Sequence, residues 1–507
     1  MTRLVYTAVM LRVVRERLAI GLIMLLPFHA LFVTVFTKMI AGPGHAPLSY
    51  LAVWKEVFLA ILLLLAFLEL WPKIRSSEDA DSPWTLDAID WCILLGLILA
   101  VVTSYVVGGQ STSFQNLLHG QLSLTDKRFL LGFKYDFLPL VMFAVLRRLP
   151  WSEAWMHHAL LALLAVGAVV GVYGLVTLKL PMSYFLSLGY SDQTSLYFAS
   201  GPLAAFQQVE GSLVRRAQST FSGPNQFGLW LLIPFGAALW SFGNIVRGWL
   251  EARRIGFSAC FVLLLFLTAC IKLGILVSLS RTAWIAAGAM TIVFLVYLFF
   301  RSLRAGRRRI FMATVLVLTT VAVAGTGFAA VKMMPGLLVR LQSGAGHLEK
   351  PRQAIKLINE HPFGMGLGTA GPASNALSDT CVFLPLGSDY AWAKPRKDIC
   401  LFLGGVRKLP PGKVCECPLL TENWYLQLGV EMGVLGLVFS VVLMLLVIAS
   451  GRHLPSRSPR IWVLLAFVGL SVAGLFLHAF EDSAVAYTIW LLLAAAVPAR
   501  SVLPAKP

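Results

Sequence analysis

The sequence predicts an all-α polytopic membrane protein. Three observations carry that reading. Of 507 residues, 58% are hydrophobic and only 13% charged, where a soluble domain is about 45–50% apolar and about 25% charged. The mean hydropathy is +0.78. Apolar stretches of membrane-spanning length recur from one end to the other, which excludes a disordered, fibrous or ordinary cytosolic chain.

A span needs about 20 mostly apolar residues, because lipid offers backbone polar groups no partner. Twelve stretches qualify, near 18–37, 49–71, 88–108, 129–146, 157–179, 225–246, 256–278, 282–300, 310–331, 424–449, 461–479 and 484–498. The fourth carries Lys134 and Asp136 near its start, and the last is short. The net charge of +18 would point a soluble protein towards nucleic acid. Here the basic residues fall at span ends, so the charge reads as membrane topology and no nucleic-acid partner is expected. Placing the N-terminus in the cytoplasm puts Arg12, Arg15, Arg17, Arg147, Arg148, Arg247, Arg304, Arg452 and Arg460 on the cytoplasmic side. The short outer segments and span edges then hold fewer, including Lys38, Lys134, Arg215, Arg216 and Arg281. Both termini are expected inside, with 1–331 holding nine spans, 332–423 forming one large outer loop, and 424–507 holding three spans and a short tail.

Segment 180–224 is the second-longest outer piece and mixes aromatic with polar residues, which suits an interfacial or re-entrant element. The large loop holds Cys381, Cys400, Cys415 and Cys417, whereas Cys92, Cys260 and Cys270 lie in spans. An even set in an oxidising compartment predicts two disulfides. Cys415 and Cys417 are too close to bridge each other comfortably, so each should pair with Cys381 or Cys400. The rival reading is a four-thiolate zinc site, which the C-x-C spacing disfavours. Either arrangement is structural. The histidines are scattered and form no metal set.

Several residues with chemistry fall on the outer face. Arg215 and Arg216 precede the sixth span, followed by Asn225. Arg281 sits in the turn Ser278-Leu-Ser-Arg-Thr, between two apolar runs. A guanidinium at a membrane boundary is costly unless it is paired or snorkels. It is also a bidentate ligand for phosphate. The functional reading is an anionic lipid headgroup; the bland one is a pair with Glu481 or Asp482. Glu422 and Asn423 stand at the mouth of the tenth span, where a carboxylate can act as a base or simply favour the helix start. His361-Pro-Phe-Gly-Met-Gly-Leu-Gly368 is a Gly-rich turn whose amides could approach a phosphate or merely turn the chain. His361 is a candidate acid or base, or a surface histidine. Lys272 lies within the seventh span, where it could serve an ion path or reach a lipid phosphate.

In this order these pieces resemble the bacterial O-antigen ligase and polymerase superfamily. The matching residues are Arg216, Phe221 and Pro224-Asn-Gln-Phe-Gly228; Ser280-Arg-Thr282; His361 to Gly368; and Glu422-Asn-Trp-Tyr-Leu426 followed by Glu431-Met-Gly-Val-Leu-Gly436. They cover roughly 205–440. The resemblance implies a GT-C-type glycosyltransferase in the bacterial inner membrane, inverting and independent of metal or other cofactor. Its donor would be a glycan on undecaprenyl diphosphate, its acceptor a saccharide hydroxyl on a lipid-linked glycan or lipid A core, its surroundings membrane lipids and its active site periplasmic. Arg215, Arg216 and Arg281 would hold the diphosphate, with Asn225, Asn423 and Lys272 in support. Glu422 or His361 would serve as base. Ligases of this family carry His where this chain has Glu422, which favours a polymerase. A protein O-glycosyltransferase would differ only in acceptor. A twelve-span secondary transporter is the alternative of a different class, although the sequence shows no repeat of halves.

Overall fold

The computed structural model describes residues 2–75, 85–107, 123–192, 201–209, 214–252, 259–302, 341–396, 399–412, 414–455 and 458–499. It is mostly helical. Among the described residues nine helices are long and apolar enough to cross a membrane, as expected of a multi-pass membrane protein. Two further apolar helices, Ile461–Ala473 and Ser483–Ala496, are shorter. These eleven fall on eleven of the twelve expected stretches. The remaining one, 310–331, lies outside the described residues, as do 332–340 of the large loop and the basic residues of 303–309.

In chain order the first helices are α1 (Thr2–Leu25), α2 (His29–Ala41), α3 (Trp54–Arg75) and α4 (Ala88–Val102). Then come α5 (Leu124–Gly132), α6 (Leu138–Leu146), α7 (Glu153–Thr177) and α8 (Met182–Leu188). Next are α9 (Pro224–Ala252), α10 (Ala259–Val277), α11 (Arg281–Ser302) and α12 (Leu341–Glu360). The series ends with α13 (Gly371–Leu377), α14 (Trp424–Ser450), α15 (Ile461–Ala473) and α16 (Ser483–Ala496). Pro27 lies in a single 3₁₀ turn, Leu26–Phe28, that separates α1 from α2, because proline removes a helix donor. The fourth span starts earlier than its apolar run suggests. Ser123 and Asp126 form a reciprocal capping box at its head, and a π-turn over Phe133–Phe137 carries Lys134 and Asp136 inside the helix.

The main core is an aromatic-rich cluster. Phe143, Trp230, Trp462, Phe467, Tyr487 and Trp490 are buried where α6, α9, α15 and α16 meet. Helices approach closely where a glycine omits its side chain: a Cβ on Gly171 of α7 would strike the Cys270 carbonyl of α10.

The structure is compatible with the expected all-α polytopic chain, with a few short strands beside the helices. In the large loop, β3 (Thr380–Leu384) pairs in parallel with β4 (Ile399–Leu403), which pairs antiparallel with β5 (Val406–Leu409). Val382, Phe383, Ile399, Phe402 and Val406 are β-branched or aromatic and suit a pleated, half-buried surface. Period-2 signals this short are easily lost beside long apolar helices. Disulfides Cys381–Cys417 and Cys400–Cys415 staple the sheet. Both expected pairings across the C-x-C unit are met, because residues two apart on an extended chain share a side. With the thiols joined in disulfides, the zinc reading of this set falls. In segment 180–224, α8 and a short hairpin of β1 (Gln207–Gln208) and β2 (Arg215–Arg216) pack Phe185, Tyr190 and Phe206 into a separate small core against Leu31.

Candidate functional site

The head of α14 organises the site. Asn423 caps the helix: its Oδ1 accepts the Leu426 N–H at 2.9 Å and its Nδ2 donates to the Leu475 carbonyl at 2.9 Å. The Trp424 N–H donates to the Gly474 carbonyl at 2.9 Å. Asn423 thus ties the loop end to the 474–482 link between α15 and α16. This turn holds Glu422 at φ +51°, a left-handed conformation that side chains other than glycine seldom adopt. Its carboxylate pairs with Lys350 of α12. One turn further along α14, the Gln427 amide donates to Glu481 of the link. The Trp424 indole donates to Asp136 at 3.1 Å.

These elements wall a cavity of about 660 Å³. Glu422, Glu481, Asp482, His29, His478, Lys55 and Lys134 all line it. Lys134 lies 3.1 Å from Glu56 and Lys55 lies 3.5 Å from the same carboxylate. Gln207, Ser222, Asn225 and Gln226 supply uncharged polar groups, and Pro139, Leu229 and Tyr487 apolar wall. The cavity therefore offers cations, carboxylates and hydroxyl- or amide-sized partners in one chamber.

The arginines stand behind this wall. Arg216 donates from Nη2 to Asn225 Oδ1 at 2.7 Å and from Nε to the Ser278 carbonyl at 3.2 Å. Asn225 lines the cavity, and so does Gln207, the ladder partner of Arg216. Arg281 opens α11 directly after the same 278–280 turn, so one turn brings Arg216 and the Arg281 backbone together. Arg215 faces the other way. Its guanidinium stacks 4.2 Å over Phe206 and donates to the Leu180 carbonyl at 3.3 Å. That geometry separates the two adjacent arginines, which sequence left equivalent.

Three candidates lie elsewhere. His361 is exposed at the end of α12 and is not among the residues lining the cavity. Lys272 is exposed on α10, 5.8 Å from the Phe235 ring centre. The Gly-rich turn is no open phosphate cradle, because its amides are already used. Met365 and Gly366 N–H groups donate to the Val430 and Glu431 carbonyls. Gly368 and Ala370 donate to the Glu431 carboxylate at 3.0 and 3.2 Å. The turn docks into a break in α14 at Gly433 (φ +70°), where a Cβ would collide with the Pro362 carbonyl. The glycines serve this packing.

No protein-family model matches this chain, and none of the curated proteins compared with it matches either. The site must speak through its chemistry. In the link outside the helices, burial pushes the Glu481 carboxyl up to about 8 and the His478 imidazole down to about 4. Burial also raises Asp482, against the Ala484 and Val485 amides that it caps. The cavity thus holds one carboxyl, Glu481, that exchanges its proton near pH 8, beside a neutral imidazole and the lysines that pair with Glu56. Sequence reading missed Lys55, Lys134, His29, His478 and Glu481 as wall residues. The available signal was an ionisable residue inside or beside an apolar run, which Lys55 and Lys134 both give.

Proposed function

We propose that this chain is a periplasmic-side glycosyltransferase of a bacterial inner membrane. It would have twelve spans, the large loop in the periplasm and both termini in the cytoplasm. It moves a glycan from undecaprenyl diphosphate to a saccharide hydroxyl, as a polysaccharide or O-antigen polymerase rather than a ligase. The observation that carries this reading is the shared chamber: carboxylates and lysines line it together, and Arg216 lies one hydrogen bond behind Asn225. A lipid-linked donor needs an anion site, polar partners for sugar hydroxyls and a carboxylate beside the acceptor.

In the reaction the acceptor oxygen attacks the anomeric carbon from the face opposite the diphosphate. The C–O bond to the diphosphate breaks and undecaprenyl diphosphate leaves with the electron pair. Arg216 and Arg281 stabilise the charge that develops on the leaving group. Glu422, fixed by Lys350 and by the Asn423 cap, binds the acceptor hydroxyl. His361 and Lys272 take no part, being exposed at the end of α12 and on α10 without the tie to a wall residue that Arg216 makes through Asn225.

The test is a deletion strain complemented with wild type, Arg216→Ala, Arg281→Ala and Glu422→Gln at matched protein levels. Loss of long surface glycans, with single repeats still reaching their acceptor, is the expected result. Long chains accumulating on undecaprenyl diphosphate would mean a ligase. Unchanged glycans in the deletion strain overturn the proposal. One observation favours transport as the second reading: α14 is broken at Gly433 beside the buried Glu431, as substrate-binding helices of transporters are.

A further inference from the structure

His478 is the least explained group in the chamber. It lies in the 474–482 link and lines the cavity. Both ring nitrogens are buried, and neither makes a hydrogen bond within the described residues. A buried imidazole costs free energy unless something satisfies it. Its Nδ1 lies 3.2 Å from Glu481 Oε2, and Glu481 is itself held by the Gln427 amide and meets Asp136. A carboxyl, fixed from behind, thus lies within ion-pair distance of one nitrogen of an imidazole whose ring edge lines a polar cavity. That is the arrangement of an oriented general base.

We propose that His478, oriented by Glu481, is the residue that takes the proton from the acceptor hydroxyl. This rests on the glycosyltransferase reading and adds the base to it. With Glu481 ionised, a rotation of the ring from its position here lets Nδ1–H donate to Oε2, 3.2 Å away, and turns the Nε2 lone pair to the hydroxyl proton. As that proton moves to Nε2, the oxygen bonds to the anomeric carbon and the diphosphate departs. Glu422, paired with Lys350, positions the hydroxyl. Charged and titratable groups near the imidazole are Glu481 of its own link, Glu422 at the loop end, Lys350 of α12, and Asp136 of the π-turn behind Glu481. Burial holds the imidazole in its neutral, proton-accepting form, while loss of the Glu481 proton towards pH 8 supplies the carboxylate that orients it.

The experiment uses the purified full chain in nanodiscs with an undecaprenyl-diphosphate-linked repeat unit as donor. Turnover is measured against pH for wild type, His478→Gln, His478→Ala and Glu481→Gln. For His478→Gln, kcat falls by about 100-fold or more while the donor KM stays within about twofold. Added imidazole restores part of the turnover of His478→Ala. Glu481→Gln loses the rise of kcat towards pH 8. The inference is overturned if His478→Gln keeps turnover within about threefold of wild type. It is equally overturned if His478→Ala loses thermal stability in step with activity and imidazole restores nothing. Wild-type turnover with a fully active His478→Gln ends the inference alone. A wild type that joins no sugars ends the glycosyltransferase reading and the inference with it.

Discussion

The two ends of the helical bundle bury charge in opposite ways. At the end away from the large loop, Arg147 spends its whole guanidinium on the protein. It grips Asp87 bidentately at 2.7 and 2.8 Å, reaches Asp90 at 3.0 Å and donates from Nε to the Val497 carbonyl at 3.1 Å. Arg148 takes the other Asp90 oxygen at 2.8 Å. Arg15 pairs with Glu69 at 2.8 Å, donates to the Pro150 carbonyl at 2.8 Å and stacks 4.2 Å over Trp151, so that only its Nη1 lacks a partner among the described residues, and it does not line the chamber. At the loop-bearing end, Glu481 and Asp136 are just as buried and His478 is half-buried, and each has a polar atom without a hydrogen-bond partner among the described residues. The first end is closed on itself, its charges joining α1, α3, α4, α6 and α16, and the cavity that Asp90 and Arg148 touch there is otherwise lined by apolar side chains. The second opens onto a chamber. Burial of charge does not mark a function; burial with bonding capacity left over, facing a cavity, does.

The largest effect expected from breaking this contrast is at the closed end. Arg147→Ala leaves Asp87 and Asp90 facing each other with much of their compensation gone. It should cost about 3–5 kcal/mol and appear as a steep loss of folded protein, with the specific activity of the surviving fraction unchanged. Thermal unfolding with parallel turnover assays checks both halves. A variant that folds normally but is inactive would erase the distinction between the two ends.

Next in size is a change of opposite sign at the open end. The folded-state Glu481 carboxyl titrates near 8, above the ordinary 4.5. Its protonated form is favoured, so wild-type stability is fully present below about pH 4.5 and is lost as pH rises towards 8. The shift sets a ceiling of about 5 kcal/mol, shared in part with Asp136 and His478. Glu481→Gln should therefore be more stable than wild type at pH 8–9 and nearly equal to it at pH 4–5, while losing activity. Unfolding midpoints across that range decide it. Equal pH dependence in both proteins would contradict the assignment.

The smallest effect sharpens where the two regions meet. Asn423→Ala removes the α14 cap and the tie to Leu475 and should cost about 1 kcal/mol. It should also lower turnover more than that loss implies, because Glu422 loses its fixed turn. Asn423→Asp, which still caps, should recover most of the stability. A purely thermal effect without change in turnover would detach the cap from the site.

How much of this was legible in the sequence follows from scale. Eleven apolar helices could be read off because a run of apolar residues is sufficient signal for each. The C-x-C unit likewise announced the two pairings made by Cys415 and Cys417. The strands around Val382 and Phe402 were not legible, being short and flanked by turns. Within the site, Glu422, Asn225 and Arg216 came from local motifs and the structure places them at or next to the chamber. His478 and Glu481 did not, because their meaning comes from Gln427 on α14 and Asp136 in the fourth span, far away in the chain. The Gly-rich turn invited a phosphate reading for the same reason. Its partner is Glu431, a side chain contributed by another element and invisible to local spacing.

The most direct test of the central claim is a defined reaction with purified components. The full chain in proteoliposomes is given an undecaprenyl-diphosphate-linked repeat unit, and both the joined glycan and the released undecaprenyl diphosphate are measured. The account predicts stoichiometric release with chain growth by wild type, no growth with Arg216→Ala or Glu422→Gln, and full growth with His361→Ala and Lys272→Ala. Wild-type protein that joins no sugars, or an Arg216→Ala variant that joins them at the wild-type rate, would contradict it.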